Sequence, residues 1–224
     1  MDRAVTSGDD GRPEGERDDA AILDAFRERQ RVAIAEALIE LVRNSGFSAV
    51  NVSDLARAVG MSRKTFYKYF ASIEAALIYT QKMILTGMRT EREPRQESGL
   101  DRFMGQLRQV KDFAVDHPER MIFVSFFDFA VKNYIPASDR EEYNIFTVHL
   151  IDDSIMALLQ GQEDGSIDPE LPAFETTIAS TNAVLGLAQR CLNGPVIAND
   201  TRLLTQLIDT ELNAWEAALA AKNS

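Results

Sequence analysis

Apolar residues recur at helical spacing along most of the chain, beginning at Phe26. The first run stops at Gly46, a residue that tolerates the left-handed backbone conformation found after many helix ends. Its apolar positions repeat at intervals that fit one helical face: Val32, Ile34, Ala35, Leu38, Ile39, Leu41 and Val42. No segment combines sustained two-residue alternation with turn dipeptides, so strands have no support in the pattern. We therefore predict an all-α protein.

Shorter elements follow the first helix. Over residues 51–70 we predict two brief helices, for which Asn51 and Ser62 are suitable N-cap residues. Gly60 ends the first of them, and only a tight turn separates the two helices. A long amphipathic helix is then predicted over residues 73–92, and we interpret it as a connector between two domains.

Prolines and an Asn-Gly-Pro sequence divide the remainder of the chain. We predict five further helices there, over residues 100–116, 118–134, 138–159, 171–192 and 200–221, which brings the total to nine. The predicted organisation has four parts: a tail, an N-terminal three-helix domain, the connecting helix and a C-terminal helical domain, at residues 1–25, 26–72, 73–92 and 93–222.

Charge is distributed unevenly between these parts. The chain carries a net charge of −11, which by itself argues against a nucleic-acid partner because phosphates repel an acidic protein. Residues 26–90, however, hold 10 basic and 5 acidic side chains, whereas the segments on either side of them are strongly acidic. This asymmetry is typical of a small DNA-binding domain attached to a larger acidic body. The tail is rich in Asp, Glu, Gly and Arg, and we predict that it is disordered.

Composition excludes several functional classes. The single cysteine, Cys191, cannot pair within the chain, no secretory leader opens the sequence, and no apolar run is long enough to span a membrane. We expect a cytoplasmic protein, associated with the nucleoid when bound to DNA. Neither His117 nor His149 has a second His or Cys at metal-ligand spacing, so no metal or other cofactor is predicted. Hydrolase, metalloprotease and phosphate-loop motifs are absent, and we predict no catalytic residues and no enzyme activity.

Residues 51–70 have the internal arrangement of a helix-turn-helix, in which two helices pack across a tight turn. Small and medium apolar residues supply the inner face of the first helix and fill the turn: Val52, Leu55, Ala56, Val59 and Met61. Phe66 and Phe70 lie four residues apart and anchor the second helix. Its outer face presents Arg63, Lys64, Tyr67 and Lys68, a set that suits the major groove and its phosphates. The alternative interpretation is a helical subdomain whose basic residues are merely solvated.

Residues 31–80 resemble the DNA-binding domain of the TetR family of bacterial regulators. The resemblance is carried by Gly46-Phe47, Asn51-Val52-x-x-Leu55-Ala56, Gly60-x-Ser62, Thr65-Phe66-Tyr67-x-Tyr69-Phe70 and Ser72-x-Glu74-x-x-Leu77. It covers about a quarter of the chain, while the rest agrees only in length and helical character. The resemblance implies a homodimeric repressor that binds double-stranded palindromic operator DNA and is released by a small apolar or amphipathic effector. The alternatives are a helical ligand-binding module without DNA binding, and an enzyme.

The resemblance also implies roles for individual residues. Arg63 and Lys64 would contact base edges, preferentially guanine. Ser62 and Tyr67 would hold phosphates. Ser53 would lie near bases or backbone, and the remaining residues on the DNA side would be Thr65 and Lys68. The family often has Lys at the start of the fourth helix, where this chain has Ile73, so the resemblance gives no phosphate contact there.

The C-terminal domain is expected to hold the effector. The helix predicted over residues 118–134 is apolar nearly all round and must be buried on most faces. Its aromatic residues, with those of neighbouring helices, belong first to the core and could also wall a pocket. The candidate pocket residues are Phe103, Phe123, Phe127, Phe146 and His149. For His149 we favour a satisfied core or interface histidine over a ligand contact. For the stripe Ser125, Asp128 and Lys132 we favour an exposed strip with an ion pair over a ligand contact.

The last two predicted helices, over residues 171–192 and 200–221, contain more apolar residues than a solvated helix needs. In the family this pair forms a four-helix bundle with a second subunit, and small residues such as Ala183 and Gly186 would permit close packing. The alternative is an ordinary hairpin within one chain. A dimer is expected in either case, because one short recognition helix covers too few base pairs for useful specificity.

Overall fold

The computed structural model describes residues 14–46, 50–89, 97–193 and 200–221. Within these ranges the chain is all-α, as predicted, with one π-helical turn at Phe127–Val131 and a single isolated bridge between Ile167 and Ala220. The α-helices in chain order are α1 (Glu14–Ser45), α2 (Val52–Ala58), α3 (Arg63–Phe66), α4 (Ile73–Gly87), α5 (Gly99–Asp116), α6 (Pro118–Phe126), α7 (Ala137–Asp164), α8 (Ala173–Leu192) and α9 (Thr201–Leu219). None of the described helices combines the length and apolar character that a bilayer span needs.

The first helix is longer than its apolar pattern predicts. α1 begins at Glu14, so the prediction of a disordered segment is wrong for residues 14–25, while residues 1–13 lie outside the described residues. Residues 21–29 are exposed, and packing begins only further along, where Ile34, Leu38 and Val42 are buried. Ala, Glu and Arg are good helix formers, and they extend a helix that the packed segment has already nucleated.

One hydrophobic core joins the N-terminal helices to α4. Leu55 of α2 and Phe66 of α3 are fully buried together with Ile34 of α1 and Ala76 of α4. Beyond α4, the central element is α5, which packs against α6, α7, α8 and α9. Its buried positions follow the helical repeat and form one continuous face: Phe103, Met104, Leu107, Val110, Phe113 and Ala114.

The helix predicted over residues 118–134 is interrupted. α6 ends at Phe126 and continues as the π-helical turn, in which the Lys132 amide donates to the Phe127 carbonyl at 2.9 Å. This helix is apolar around nearly its whole circumference, so its sequence does not determine the number of residues in each turn. The hydrophobic pattern therefore could not predict the π-helical turn. The turn keeps Phe127 buried and leaves Phe129 exposed over 76% of its surface.

α5 and α7 approach each other closely at their glycines. A Cβ at Gly99 would lie 2.0 Å from the Gly161 amide nitrogen and 2.3 Å from its Cα, both of them backbone atoms. Asp164 at the end of α7 accepts a hydrogen bond from the Gly99 amide at 2.7 Å. Hydrogen bonding with Ser166, together with this bond, lowers the pKa of the Asp164 carboxyl. The start of α5 is therefore fixed to the end of α7 by backbone contact that excludes any side chain.

We predict that Gly99→Ala lowers the free energy of unfolding by about 1–3 kcal/mol, because backbone atoms must separate to admit the methyl group. Gly87→Ala is the matched control: its Cβ would meet nothing within 4 Å, and alanine favours a helix by up to about 1 kcal/mol. Urea denaturation of both variants measures the difference. Equal stability of the two variants would show that the helices do not meet as described.

Candidate functional site

The helix-turn-helix begins with a capped helix. The Asn51 side chain accepts a hydrogen bond from the Asp54 amide at 3.0 Å, and its own amide nitrogen donates to the Asp54 carboxylate at 2.7 Å. The first of these bonds satisfies one backbone donor that the first turn of a helix leaves free, and the second joins the two side chains. Leu55 and Ala56 then face the core, and Ser53 lies on the exposed side. The predicted N-cap is confirmed.

The turn between α2 and α3 depends on Gly60, whose φ is +73°. Its amide donates to the Arg57 carbonyl, and the Met61 amide donates to the Ala56 carbonyl at 2.9 Å. These two bonds end α2 with a left-handed residue, a conformation that glycine adopts without steric cost. The turn fixes the direction in which α3 leaves α2.

α3 is shorter than the sequence pattern predicts. Its N-cap is Ser62, whose hydroxyl accepts from the Thr65 amide at 3.0 Å and lies 2.9 Å from the Thr65 hydroxyl. The α-helix ends at Phe66 rather than near Phe70, and the chain continues as a turn through residue 69. The two phenylalanines still face inward, with ring centroids 6.0 Å apart. Three-residue turns at the end of a helix tighten it without reversing which side faces the core.

The outer side of α3 carries uncompensated positive charge. Arg63, Lys64 and Lys68 are exposed, and none of them forms an ion pair with a carboxylate among the described residues. By contrast, Arg57 of α2 pairs with Asp54 at 2.7 Å. Tyr67 is exposed over 49% of its surface beside these cations. The structure thus brings the predicted DNA-facing side chains onto one accessible face.

An aromatic cluster holds the end of this motif against α1. The Arg31 guanidinium lies 5.6 Å from the centroid of the Phe70 ring and 6.0 Å from that of the Tyr79 ring, and it donates to the Tyr69 carbonyl. The Tyr79 hydroxyl donates to Glu28 at 2.5 Å. Burial and the neighbouring Glu28 carboxylate raise the pKa of Tyr79. Cation–π and hydrogen-bond contacts therefore lock α1, α3 and α4 into one unit.

Ile73 packs against this core. Its side chain is only partly accessible, as expected for an apolar residue at the start of α4. An isoleucine at the start of α4 therefore contributes packing and offers no cation to a phosphate.

The second half of α4 borders a cavity of about 500 Å³, a volume within the range of ligand pockets. Helices α4 to α8 and the π-helical turn all contribute to its wall. The apolar part of the wall is formed by Leu85, Met88, Leu107, Val110, Val124, Val148, Leu150, Ile151, Ile178 and Leu185. The polar part is formed by Gln81, Arg89, Gln106, Gln109, Asp128, Lys132, Tyr143, Thr147, Ser154, Thr181 and Asn182.

None of the pocket residues predicted from the sequence borders this cavity. Phe103, Phe123 and Phe127 are fully buried in the core, and Phe146 packs at its edge. His149 is exposed on α7, with Nδ1 3.1 Å from the Asp152 carboxylate, so it is not a core histidine within the protomer. Aromatic content identified the most buried positions, whereas the cavity lies where polar side chains interrupt the packing.

The polar stripe on residues 125–132 is also corrected, because it is not an exposed strip. Ser125 is buried and donates to the Met121 carbonyl at 3.1 Å. Asp128 and Lys132 both border the cavity, and Gln189 donates to the Asp128 carboxylate at 2.9 Å. Burial raises the pKa of Asp128 against the opposing effects of Gln189 and Lys132.

Two buried amide oxygens at the cavity lack hydrogen-bond partners among the described residues, Gln81 Oε1 and Gln106 Oε1. Gln81 is 1% exposed, and its amide nitrogen donates to the Tyr143 hydroxyl at 3.3 Å. Burial raises the pKa of that hydroxyl to about 12. Sequence reasoning missed both glutamines. The sequence did contain a signal for Gln81, because it is a polar residue on the helical face that otherwise carries Leu77, Ile84 and Met88.

The terminal helices bury part of their apolar surface within the protomer. Val184 of α8 and Leu204, Ile208 and Leu212 of α9 are buried, whereas Phe174 of α8 is exposed over 51% of its surface. The accessible side of α8 carries small residues, including Ala179, Ala183 and Gly186. A Cβ at Gly186 would meet no atom within 4 Å.

Comparison with known proteins connects the helix-turn-helix to a family. Residues 34–78 match the model of the bacterial regulatory proteins of the tetR family. Over 67 residues the chain is 42% identical to the HTH-type transcriptional regulator EthR of Mycolicibacterium smegmatis. This match covers 30% of the chain and 25% of that regulator, so the chain matches a quarter of the length of this curated relative.

Two solved structures share the fold. A TetR family transcription regulator from Marinobacter aquaeolei VT8 is 24% identical with a TM-score of 0.56, covering 88% of this chain and 100% of that one. The fatty acid degradation regulator FadR from Bacillus halodurans is 17% identical with a TM-score of 0.61, covering 83% and 94%. The matched segment contains the capped α2, the Gly60 turn and the basic α3, so the helix-turn-helix of this chain is similar to that of the tetR family of bacterial regulatory proteins.

Proposed function

We propose that the protein is a transcriptional repressor that leaves its operator when a small molecule occupies the cavity. The observation that carries the proposal is the position of α4. Its first half packs into the core of the helix-turn-helix through Ala76 and Leu77, and its second half borders the cavity through Gln81, Leu85 and Met88. A helix is stiff over this length, so a ligand that displaces one half also displaces the other.

DNA binding rests on the charge of α3. Arg63 and Lys64 contact base edges in the major groove, preferentially guanine. Tyr67, Lys68 and Ser62 contact phosphates, which position the helix without reading sequence. Thr65 and Ser53 complete the contact surface, Thr65 beside the Ser62 hydroxyl and Ser53 from the exposed side of α2. The chain's net charge of −11 does not oppose this contact, because solvated charges more than about 8 Å apart are largely screened at physiological salt.

We further propose that two copies associate through α8 and α9, which lie within the predicted dimer segments 171–192 and 200–221. The small outward residues of α8 allow backbones to approach closely, and the space beside Gly186 is open in the protomer. A dimer of this kind presents two copies of α3 to successive major grooves of a palindromic operator.

The effector is an apolar or amphipathic molecule, held mostly by the aliphatic wall of the cavity. Contacts of α4 and of the residues just after it transmit its presence: Lys82 pairs with Glu142 of α7 at 2.6 Å, and Arg89 pairs with Asp153 at 3.1 Å. A second route runs from α6, where Arg120 pairs with Glu36 of α1 at 2.6 Å. We assign the protein to the cytoplasm, bound to the nucleoid in its repressing state, and give it no catalytic role.

We predict that Arg63→Ala and Lys64→Ala each cost about 1–3 kcal/mol at the specific operator and relax its base preference. Tyr67→Phe weakens binding to all sequences more evenly, because it loses a phosphate contact. Sequencing the DNA fragments that the purified protein selects, followed by titration at one salt concentration, measures both effects.

Arg140→Ala is the matched control for these substitutions, since Arg140 is an exposed cation on α7, outside the helix-turn-helix. It should leave affinity and sequence preference unchanged. The assignment of α3 as the recognition helix fails if both basic substitutions leave operator affinity at the wild-type value, or if the wild-type protein selects no sequence.

We predict that Gly186→Glu shifts the protein from dimer to monomer, because it places a charge in a close-packed interface. The protomer should remain folded, since a side chain at this position meets open space. Sedimentation measures the assembly and circular dichroism the fold. Ala137→Glu, at an exposed position at the start of α7, is the control and should stay dimeric. A Gly186→Glu variant that remains a dimer would exclude this face as the interface.

A further inference from the structure

We propose that the cavity selects a ligand bearing a hydroxyl group on an apolar skeleton, and that Gln81 and Tyr143 bind this hydroxyl together. The inference deepens the proposed function and rests on the cavity being the effector site. It is carried by the unpartnered amide oxygen of Gln81 and by the pair that this residue makes with Tyr143.

The burial of Gln81 costs free energy of folding. It is 1% exposed on the apolar face of α4, where an aliphatic residue would pack without any polar requirement. A buried amide oxygen without a partner costs about 1–3 kcal/mol, and such groups are rare in folded proteins. Because Gln81 borders the cavity, a bound molecule can supply the missing donor. Water can occupy this place in the free protein and is then displaced by the ligand.

The pair requires both a donor and an acceptor from the ligand. In the arrangement described here, the Gln81 amide donates to the Tyr143 oxygen, which leaves the Gln81 carbonyl as an acceptor and the Tyr143 proton as a donor. If the amide is turned over, Tyr143 donates to the Gln81 carbonyl, and the pair again retains one donor and one acceptor. A hydroxyl both donates and accepts, so it satisfies the pair in either arrangement. A ketone or an ether only accepts.

The ionic groups of the wall favour an uncharged ligand. Arg89 is paired with Asp153, and the positive charge of Lys132 is opposed by the nearby carboxyl of Asp128. No excess charge is left to compensate an ionised ligand, whose burial without a partner is costly. Tyr143 has a pKa of about 12, raised by burial, so it stays protonated at physiological pH and keeps its donor. Gln106 offers a second unpartnered acceptor for a ligand with a further donor group.

The test uses saturated alcohols of about ten to twenty carbons, sizes suited to a cavity of this volume, on acyclic, monocyclic and fused-ring skeletons. Each alcohol is compared with its methyl ether and its ketone by isothermal titration of the full-length protein without DNA. We expect at least one alcohol to bind about tenfold or more tightly than its ether and ketone, because those leave the Gln81 oxygen unpartnered.

Two substitutions test whether Gln81 and Tyr143 cause the preference for alcohols over ethers. Gln81→Met and Tyr143→Phe preserve shape and packing, and each should bring the alcohol and its ether to similar affinity, with ether binding retained. Either variant alone suffices if the other fails to fold. Gln206→Met is the matched control, because Gln206 is exposed on α9 and does not border the cavity. It should keep the wild-type ratio.

Three results would overturn the inference: no alcohol of the panel binds, ethers or ketones bind as tightly as alcohols, or the preference for alcohols survives both cavity substitutions. These titrations contain no DNA, so they test the hydroxyl site independently of the proposed repressor function. A protein that binds alcohols through Gln81 but selects no operator contradicts the proposed repressor alone. One that selects an operator but binds no alcohol contradicts the hydroxyl site alone.

Discussion

α4 belongs to two packed regions at once, and the arrangement of the molecule depends on this sharing. Its N-terminal half packs against α1, where Tyr79 joins the aromatic cluster around Arg31 and Phe70. Its C-terminal half contributes Gln81 to the cavity and pairs with α7 through Lys82. Packed cores resist gradual deformation, so we expect a change at either half to move the whole helix. The motif that binds DNA and the cavity are thereby linked without a flexible hinge between them.

The same chain separates its charges by function. Arg63, Lys64 and Lys68 of α3 have no carboxylate partner among the described residues, whereas other cations, such as Lys82 and Arg120, are paired across helices. Those pairs join α4 to α7 and α6 to α1, so they stabilise the relative placement of helices rather than attract DNA. Exposed pairs contribute little to stability individually. Their value here is geometric, because each connects an element that borders the cavity to another that supports the recognition helix.

Local chemistry was predictable from the sequence, and the cavity was not. Asn51, Gly60 and Ser62 act as caps or turn residues where predicted, because each acts through backbone groups only a few residues away. The cavity wall depends instead on which sides of five helices meet and where packing is incomplete. Aromatic residues mark the tightest packing, so Phe103 and Phe127 indicated the core rather than the void. The helical start of α1 was missed because the prediction for residues 14–25 relied on their polar composition. Composition shows that these residues are solvated, but it does not show that Ala, Glu and Arg also favour a helix.

The central claim is that ligand in the cavity and operator on α3 oppose each other through α4. Titrating one cavity ligand into the free dimer and into the dimer–operator complex tests it most directly. By reciprocity, the operator must weaken ligand binding by the same factor by which the ligand weakens operator binding. A 100-fold effect corresponds to about 2.7 kcal/mol of coupling. The account predicts tighter ligand binding to the free dimer, with equal factors in both directions. Identical ligand affinity with and without operator would contradict it.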